Sequence, residues 1–201
     1  MGRNGSSFGP DPPQRPRLAP YSPCVDIADA IMQRAESLLL VDPAAAGAAY
    51  LEAREVFLAT QRPVEAAECA LALAQLAQED FDLESAHRLA LLAADGFASR
   101  PELQQRAYML AGYVALAADA TTSARNCFLA AATGDYAWQA LEALADLNLE
   151  AGDATGAEEC LHEAWARLPV DAPPVVVARL RERFGLLAYE DGRVTEALAA
   201  L

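Results

Sequence analysis

The fold is decided by residues 138–171, which read WQALEALADLNLEAGDATGAEECLHEAWARLPVD. Apolar residues recur at three- and four-residue spacings on both sides of the turn Ala151-Gly152-Asp153, and this spacing places them on one face of a helix. The period-two alternation of a half-buried strand is absent. The stretch therefore predicts two amphipathic helices, with Gly152 as the left-handed residue that ends the first and Asp153 as the N-cap of the second.

The same arrangement recurs 33 residues earlier and 40 residues later. In each copy a small residue precedes a turn, and an alanine with a larger apolar residue four positions on follows it. The matching residues are Gly112, Asp119–Thr121, Ala124 and Phe128 in the earlier copy, and Gly185, Asp191-Gly192, Ala197 and Leu201 in the later one. One helical hairpin cannot bury its own apolar face, so repeated hairpins are expected to stack and bury each other's faces.

Proline, glycine and capping residues mark further helix boundaries. Pro43, Pro63 and Pro101 suit the first turn of a helix, where the missing N–H is harmless. Thr122 suits an N-cap, and Gly192 suits the left-handed residue that ends a helix. These marks predict helix after helix from residue 26 onward.

The pattern resembles the tetratricopeptide repeat, whose unit of about 34 residues reads W-x2-L-G-x2-Y, then A-x3-F, then P. The A-x3-F step is matched by Ala124-x3-Phe128, Ala157-x3-Leu161 and Ala197-x3-Leu201, and the closing proline by Pro169. No unit has the tryptophan at its family place, and the tyrosine site holds Ala115, Asn148 and Ala188. The resemblance implies an all-α fold, an α-solenoid of stacked antiparallel helix pairs in a right-handed superhelix. An α-solenoid of another repeat family is the structural alternative.

The chain is expected to have two regions. Residues 1–25 are rich in proline and predict a disordered tail, because such a segment cannot bury enough apolar surface to offset its ordering entropy. Two PxxP matches, at 10–13 and 13–16, leave a polyproline ligand as the alternative. Residues 26–201 are expected to form the repeat domain, with units at 26–62, 63–100, 101–137, 138–172 and 173–201, the last one incomplete.

The charge of the chain argues against nucleic acid as a ligand. The formal net charge is −14, and the tail carries Arg3, Arg15 and Arg17 against Asp11, which leaves −16 on the remainder. A body this acidic repels phosphate backbones. The alternative is that the charge only keeps the protein soluble.

No apolar stretch reaches the roughly 18 residues that span a membrane, and the start lacks the apolar segment of a secretory signal. We therefore expect a cytoplasmic protein that does not bind membranes.

Motifs that carry chemistry are absent from the sequence. Candidate metal ligands with the right spacing, a phosphate-binding loop and a nucleophile elbow are all missing, so we expect no metal, no cofactor and no enzymatic activity. Cys127 and Cys160 occupy equivalent places in successive units and are interpreted as buried core residues. Redox sensing, the alternative, requires exposed thiols of low pKa.

The resemblance implies that the first helix of each unit lines a concave groove. Tyrosine and methionine are favoured at interface centres and charged residues at rims, so we expect a partner peptide or helix with basic flanks. A solvated helix face, or a face covered by a further segment of the chain, is the alternative. The candidate groove residues are Arg106, Met109, Leu110, Tyr113, Leu116, Gln139, Glu142, Asp146, Leu149, Glu182 and Tyr189.

These features favour a non-enzymatic scaffold or adaptor that binds a protein or peptide. The first alternative is a sensor or regulatory repeat segment of a larger signalling or transcription-regulating protein. An unrecognised helical enzyme is a more distant one. For the core, the repeat register predicts that Leu144 and Leu161 face each other inside one hairpin.

Overall fold

The computed structural model describes residues 23–134, 137–190 and 192–200, and every regular element within them is an α-helix. The helices are α1 (Pro23–Leu38), α2 (Pro43–Ala59), α3 (Pro63–Glu79), α4 (Leu83–Gly96), α5 (Pro101–Ala117), α6 (Thr121–Ala131), α7 (Ala137–Glu150), α8 (Ala154–Ala166), α9 (Pro174–Glu190) and α10 (Val194–Ala200). Consecutive helices pack as antiparallel hairpins that stack along the chain. The prediction of an all-α solenoid is confirmed. None of these helices is long and apolar enough to cross a membrane.

The first helix begins inside the predicted tail. Helix α1 starts at Pro23, within the stretch 1–25 that composition assigned to the tail. Proline fits there because the first N–H groups of a helix have no intrahelical partner. Residues 1–22, with both PxxP matches, lie outside the described residues, and the unit boundaries within the repeat domain stay a prediction.

The helix starts agree with the sequence at four positions and differ at one. Pro43, Pro63 and Pro101 stand in the first turns of α2, α3 and α5, and Asp153 caps α8 by accepting a hydrogen bond from the Gly156 N–H at 2.9 Å. The prediction that Thr122 is an N-cap is wrong. Helix α6 already begins at Thr121, with Ala120 at the N-cap and no side-chain cap, so the turn before it is two residues shorter than the sequence suggested.

Five turns between helices share one hydrogen-bond pattern. The residue after each turn donates its N–H to the carbonyl five positions earlier, at 2.7–2.9 Å, as in the Schellman motif. The residue before it has a positive φ of 56–77°, and these residues are Gln61, Phe81, Asp119, Gly152 and Gly192. The predictions for Gly152 and Gly192 are confirmed. The left-handed conformation costs a non-glycine residue about 1–2 kcal/mol, so the turn geometry holds the other three against their local preference.

The second helix of each of the first four pairs buries two alanines at fixed positions. They stand four and eleven residues after the N-cap, and none of them has solvent-exposed area. The alanines are Ala46 and Ala53, Ala86 and Ala93, Ala124 and Ala131, and Ala157 and Ala164. A methyl group is all that fits at these positions, so the repeated alanines set how closely neighbouring helices approach.

Gly112 marks the point where α5 and α6 touch. A Cβ atom placed on Gly112 would lie 2.4 Å from a ring carbon of Phe128, which is closer than packed atoms tolerate. The prediction of a small residue at the crossing of the paired helices is confirmed at this position.

The largest apolar core runs from α5 to α9. Leu144 and Leu161 are 3% and 0% exposed and belong to this cluster, as expected of residues that face each other in one hairpin. The joint between the second and third pairs is different, because its buried residues are mostly alanine, with Phe97 the largest of them.

Candidate partner-binding surface

We use the name first-helix wall for the surface of α5, α7 and α9 that carries the candidate groove residues. All eleven candidate groove residues lie on these three helices. Their side chains nevertheless have three different surroundings, namely open clefts, an ion-pair network and the apolar core.

Arg106, Met109 and Gln139 lie together at a cleft between α5 and α7. The cleft has a volume of about 390 Å³ and is also lined by Glu102, Leu103 and Gln105. A second cleft of about 510 Å³ shares those last three residues and continues to Arg100, Pro101, Thr133 and Gly134. Because they share lining residues, we treat the two as one surface, the α5–α7 cleft. Its mixture of apolar and charged groups suits a polypeptide segment.

The apolar middle expected on α5 is smaller than the sequence suggested. Tyr113 is 48% exposed, whereas Met109 is only 8% exposed. Leu110 packs partly buried against the alanines of the second and third pairs, and Leu116 packs against the main core, as does Leu149 of α7. Helix α5 is packed between α4 and α6, so little of its surface remains free for a partner.

Two carboxylates of α7 are paired with two arginines of α9. Arg179 contacts Glu142 through Nε at 2.6 Å and Nη2 at 2.7 Å, and the Nε of Arg183 contacts the same carboxylate at 3.1 Å. Arg183 also bonds Asp146. The Glu142 side chain is 8% exposed, while Arg179 and Arg183 are 46% and 28% exposed. This ionic cluster balances its own charges, so Glu142 and Asp146 are not the free acids that a basic ligand was expected to meet.

Burial dominates the titration of Asp146. Loss of solvent raises the pKa of its carboxyl above the usual value, and this effect outweighs the attraction of Arg183, which lowers the pKa. The proximity of Glu142 adds to the increase. The carboxylate of Asp146 is therefore held less favourably in the fold than in water.

Tyr113 stands beside the ionic cluster. Its ring meets Phe128 edge-on, with centroids 5.2 Å apart and an interplanar angle of 69°. Partial burial raises the pKa of the phenol, and the charge of Glu142 contributes further. Tyr113 thus offers a fixed, half-exposed aromatic face next to balanced charges.

Glu182 and Tyr189 lie apart from the α5–α7 cleft. They line an apolar cleft of about 310 Å³ between α9 and α10, together with Gly185, Leu186, Val194, Ala197 and Leu198. Tyr189 and Leu186 are more than half exposed. Of the candidate groove residues, therefore, three line the α5–α7 cleft and two line this separate cleft.

Comparison with solved structures identifies the architecture. Similar folds are found in MamA (TM-score 0.64), in BtubC (BKLC) from P. vanneervenii (0.61), and in a Podosopora anserina kinesin light chain with nearly identical TPR-like repeats (0.56). Each is 14% identical and is matched over 88% of this chain and 86–89% of its own. The chain has the tetratricopeptide-repeat fold. No family model and no curated protein matches the sequence.

On this tetratricopeptide-repeat scaffold, a second surface lies outside the first-helix wall, where α8 meets α9. Phe184 contacts the His162 ring at 5.0 Å and the Trp165 ring edge-on at 6.3 Å, and the Arg181 guanidinium lies 5.9 Å from the Trp165 centroid. These four residues line a cleft of about 330 Å³, which we call the aromatic cleft. The Trp165 side chain is 39% exposed.

His87 makes an interhelical bridge that sequence reasoning missed. Its Nδ1 lies 3.0 Å from the carbonyl oxygen of Ala111, and its Nε2 lies 3.0 Å from the Ser123 hydroxyl. A carbonyl only accepts, so Nδ1 carries a proton, and in the neutral imidazole the Ser123 hydroxyl then donates to Nε2. A serine beside an imidazole suggests nucleophilic catalysis, but Ser123 lines none of the clefts described here. The geometry supports a bridge that ties α4 to α5 and α6.

The described cysteines do not have the character of redox sensors. Cys69 and Cys127 are buried and Cys160 is partly buried. Burial raises the pKa of all three thiols, for Cys69 to about 11, so the reactive thiolate is scarce at neutral pH. Within the described residues, no group of three or more histidine, cysteine or acidic side chains is placed to hold a metal ion.

Proposed function

We propose that the protein is a non-enzymatic scaffold or adaptor that binds a peptide or helix of a partner protein on the first-helix wall. Support comes from the α5–α7 cleft with half-exposed Tyr113 nearby. An aromatic residue fixed by its neighbours loses little side-chain entropy on binding, which is why tyrosine is common at binding hot spots.

Basic flanks on the ligand would contact one carboxylate at each cleft, and Arg100 and Arg106, which also line the α5–α7 cleft, would suit an acidic group of the ligand beside that contact. Glu102 borders the α5–α7 cleft and Glu182 borders the α9–α10 cleft, and no described residue forms an ion pair with either. The paired Glu142 and Asp146 lie between these two sites, so the basic flanks should meet Glu102 and Glu182. We also propose a cytoplasmic location and no nucleic-acid ligand, on the grounds of composition given above.

Tyr113→Ala tests the proposal once a partner has been captured with the wild-type chain. We expect dissociation to become about 10-fold faster or more, since hot-spot substitutions act mainly on the dissociation rate. Glu102→Arg should slow association and weaken its dependence on salt. Leu129→Ala is the matched control, because Leu129 is a similarly exposed apolar residue on the second helix of the same pair (57% exposed). If Tyr113→Ala and Leu129→Ala bind alike, the partner does not use this wall.

A further inference from the structure

Phe81 combines an exposed side chain with an unfavourable backbone conformation. It is 86% exposed and has a φ of +59° in the turn between α3 and α4. The equivalent turns between α7 and α8 and between α9 and α10 place glycine there, and the turn between α5 and α6 places Asp119. A large apolar residue in water at a strained position is an outlier that folding does not require, and such outliers cluster at functional sites.

The immediate neighbours of Phe81 are acidic. Asp82 caps α4 by accepting a hydrogen bond from the Ser85 N–H at 3.1 Å. Asp80, on the other side, is exposed, and no described residue forms an ion pair with it. The turn Asp80-Phe81-Asp82 therefore presents an aromatic ring with an available carboxylate beside it, and we call it the acidic knob.

The aromatic cleft between α8 and α9 has the complementary character. Its walls are the Trp165 and Phe184 rings, and its volume of about 330 Å³ accommodates a phenyl ring. Aromatic rings favour edge-to-face and offset contacts with one another. Arg181 stands at the edge, and no carboxylate of a described residue pairs with it. The acidic knob, an aromatic ring with a carboxylate beside it, is thus complementary to the aromatic cleft, which is lined by rings and has an arginine at its edge.

We propose that the acidic knob of one chain docks in the aromatic cleft of a second copy, with the Phe81 ring against Trp165 and Phe184 and the Asp80 carboxylate on Arg181. The knob lies within the second helix pair, whereas the cleft lies between α8 of the fourth pair and α9 of the fifth, so the proposed contact forms between copies.

The contact joins two different surfaces, so a docked pair of copies still offers one free knob and one free cleft. Such heterologous contacts build rings or open chains. One aromatic residue buries about 150–250 Å², far less than the roughly 1,600 Å² of a standard interface. The association is therefore weak and depends on concentration. The self-association leaves the first-helix wall free, so the result of testing it does not depend on whether a partner binds at that wall.

Sedimentation velocity of the whole chain at rising concentration, up to about 1 mM, tests the proposal. We expect the sedimentation coefficient to rise with concentration in about 0.1 M salt, which screens the repulsion between two copies of this acidic chain beyond about 10 Å. Phe81→Gly should abolish the rise while making the fold more stable to denaturant, so loss of association cannot be attributed to misfolding. Asp119→Gly is the matched control, since it relieves the same strain in the equivalent turn and should leave association intact.

A charge exchange identifies the two contacting surfaces. Asp80→Arg and Arg181→Asp should each prevent association, because each places like charges together. An equimolar mixture of the two variants should associate again, since the new arginine of one then meets the new aspartate of the other. A wild-type chain that stays monomeric throughout, a Phe81→Gly variant that associates as the wild type does, or a mixture that fails to recover would each overturn the proposal.

Discussion

The joint between the second and third helix pairs and the joint between the fourth and fifth pairs perform the same task with different chemistry. Helices α4 and α5 are packed along much of their length through alanines such as Ala90, Ala94 and Ala111, each with no exposed area. Helices α8 and α9 touch at fewer places. Helix α9 is held to the fourth pair by its ion pairs with α7 and by the ring contacts with α8 that form the aromatic cleft.

The difference shows that neighbouring helix pairs of the same repeat geometry can be held together either by close packing of small side chains or by ion pairs. The alanine joint depends on the absence of bulk, so substitutions that add atoms should disturb it and salt should not. The ionic joint depends on charges that are partly exposed to solvent, so charge removal and salt should act on it. The following expectations test that contrast, in order of decreasing effect.

Leu144→Ala should produce the largest loss, about 2–4 kcal/mol in the free energy of unfolding, because it leaves a cavity in the apolar core beneath the ionic joint. Urea unfolding followed by circular dichroism measures it. Leu51→Ala, at a 51% exposed position of α2, is the control and should cost less than about 0.5 kcal/mol. Equal losses for the two variants would contradict the packing described for α7 and α8.

Ala90→Leu should cost about 1–3 kcal/mol, because the alanine joint has no room for three more carbon atoms. The same urea titration serves, and the loss should be the same at low and high salt. Ala130→Leu, at an exposed position of α6, adds the same atoms where there is room and should be nearly neutral. A neutral Ala90→Leu would mean that α4 and α5 can separate freely, against the steric account of this joint.

Glu142→Gln should cost about 1 kcal/mol, a buried-pair value reduced because Arg179 and Arg183 remain partly in water. The substitution keeps the shape of the side chain and removes the charge that both arginines share. The wild type should also lose stability between about 0.1 M and 1 M sodium chloride, and the variant should lose less. A variant with the wild-type stability and salt response would show that the ion pairs do not hold α9.

Asp146→Asn should give the smallest change, visible only as a function of pH. The fold raises the pKa of this carboxyl above its ordinary value of 3.8, so the folded chain holds the proton more firmly than the unfolded chain. The stabilisation from this group is complete below that value and is lost as the pH rises through the folded pKa. Relative to Asp146→Asn, the wild type should therefore lose stability as the pH is raised from about 3.8. The opposite slope would mean that Arg183 outweighs burial.

Local residue types predicted the parts of the fold that depend on neighbours in sequence. Helix periodicity, the first-turn prolines, Gly152 and Gly192 each have one favoured structural meaning, and the structure agrees with them. Phe81 could not be recognised as a left-handed residue, because an aromatic residue rarely adopts that conformation, whereas aspartate is enriched there and Asp119 is the easier of the two to explain. Their φ values follow from the turn shape that stacking imposes.

The surface was harder to predict, because it depends on how separate helices align. Arg179 and Arg183 stand 37 and 41 residues from Glu142, and nothing within either helix indicates which charges meet. The same reason explains why Leu110 and Leu149 were assigned to the wall although they pack inward. A helical period shows which residues share a face, but the neighbouring helix decides how much of that face is left open.

The alanine-filled joint also has a consequence for how the protein responds to heat. An alanine side chain contains a single methyl group, so unfolding an alanine-rich core exposes little apolar area per residue. The heat-capacity increase on unfolding should accordingly lie below the usual value of about 12–15 cal/mol/K per residue. Because that quantity sets the curvature of stability against temperature, the curve should be broad and flat, and cooling or moderate warming should change the stability of this chain less than that of a leucine-packed domain of equal length.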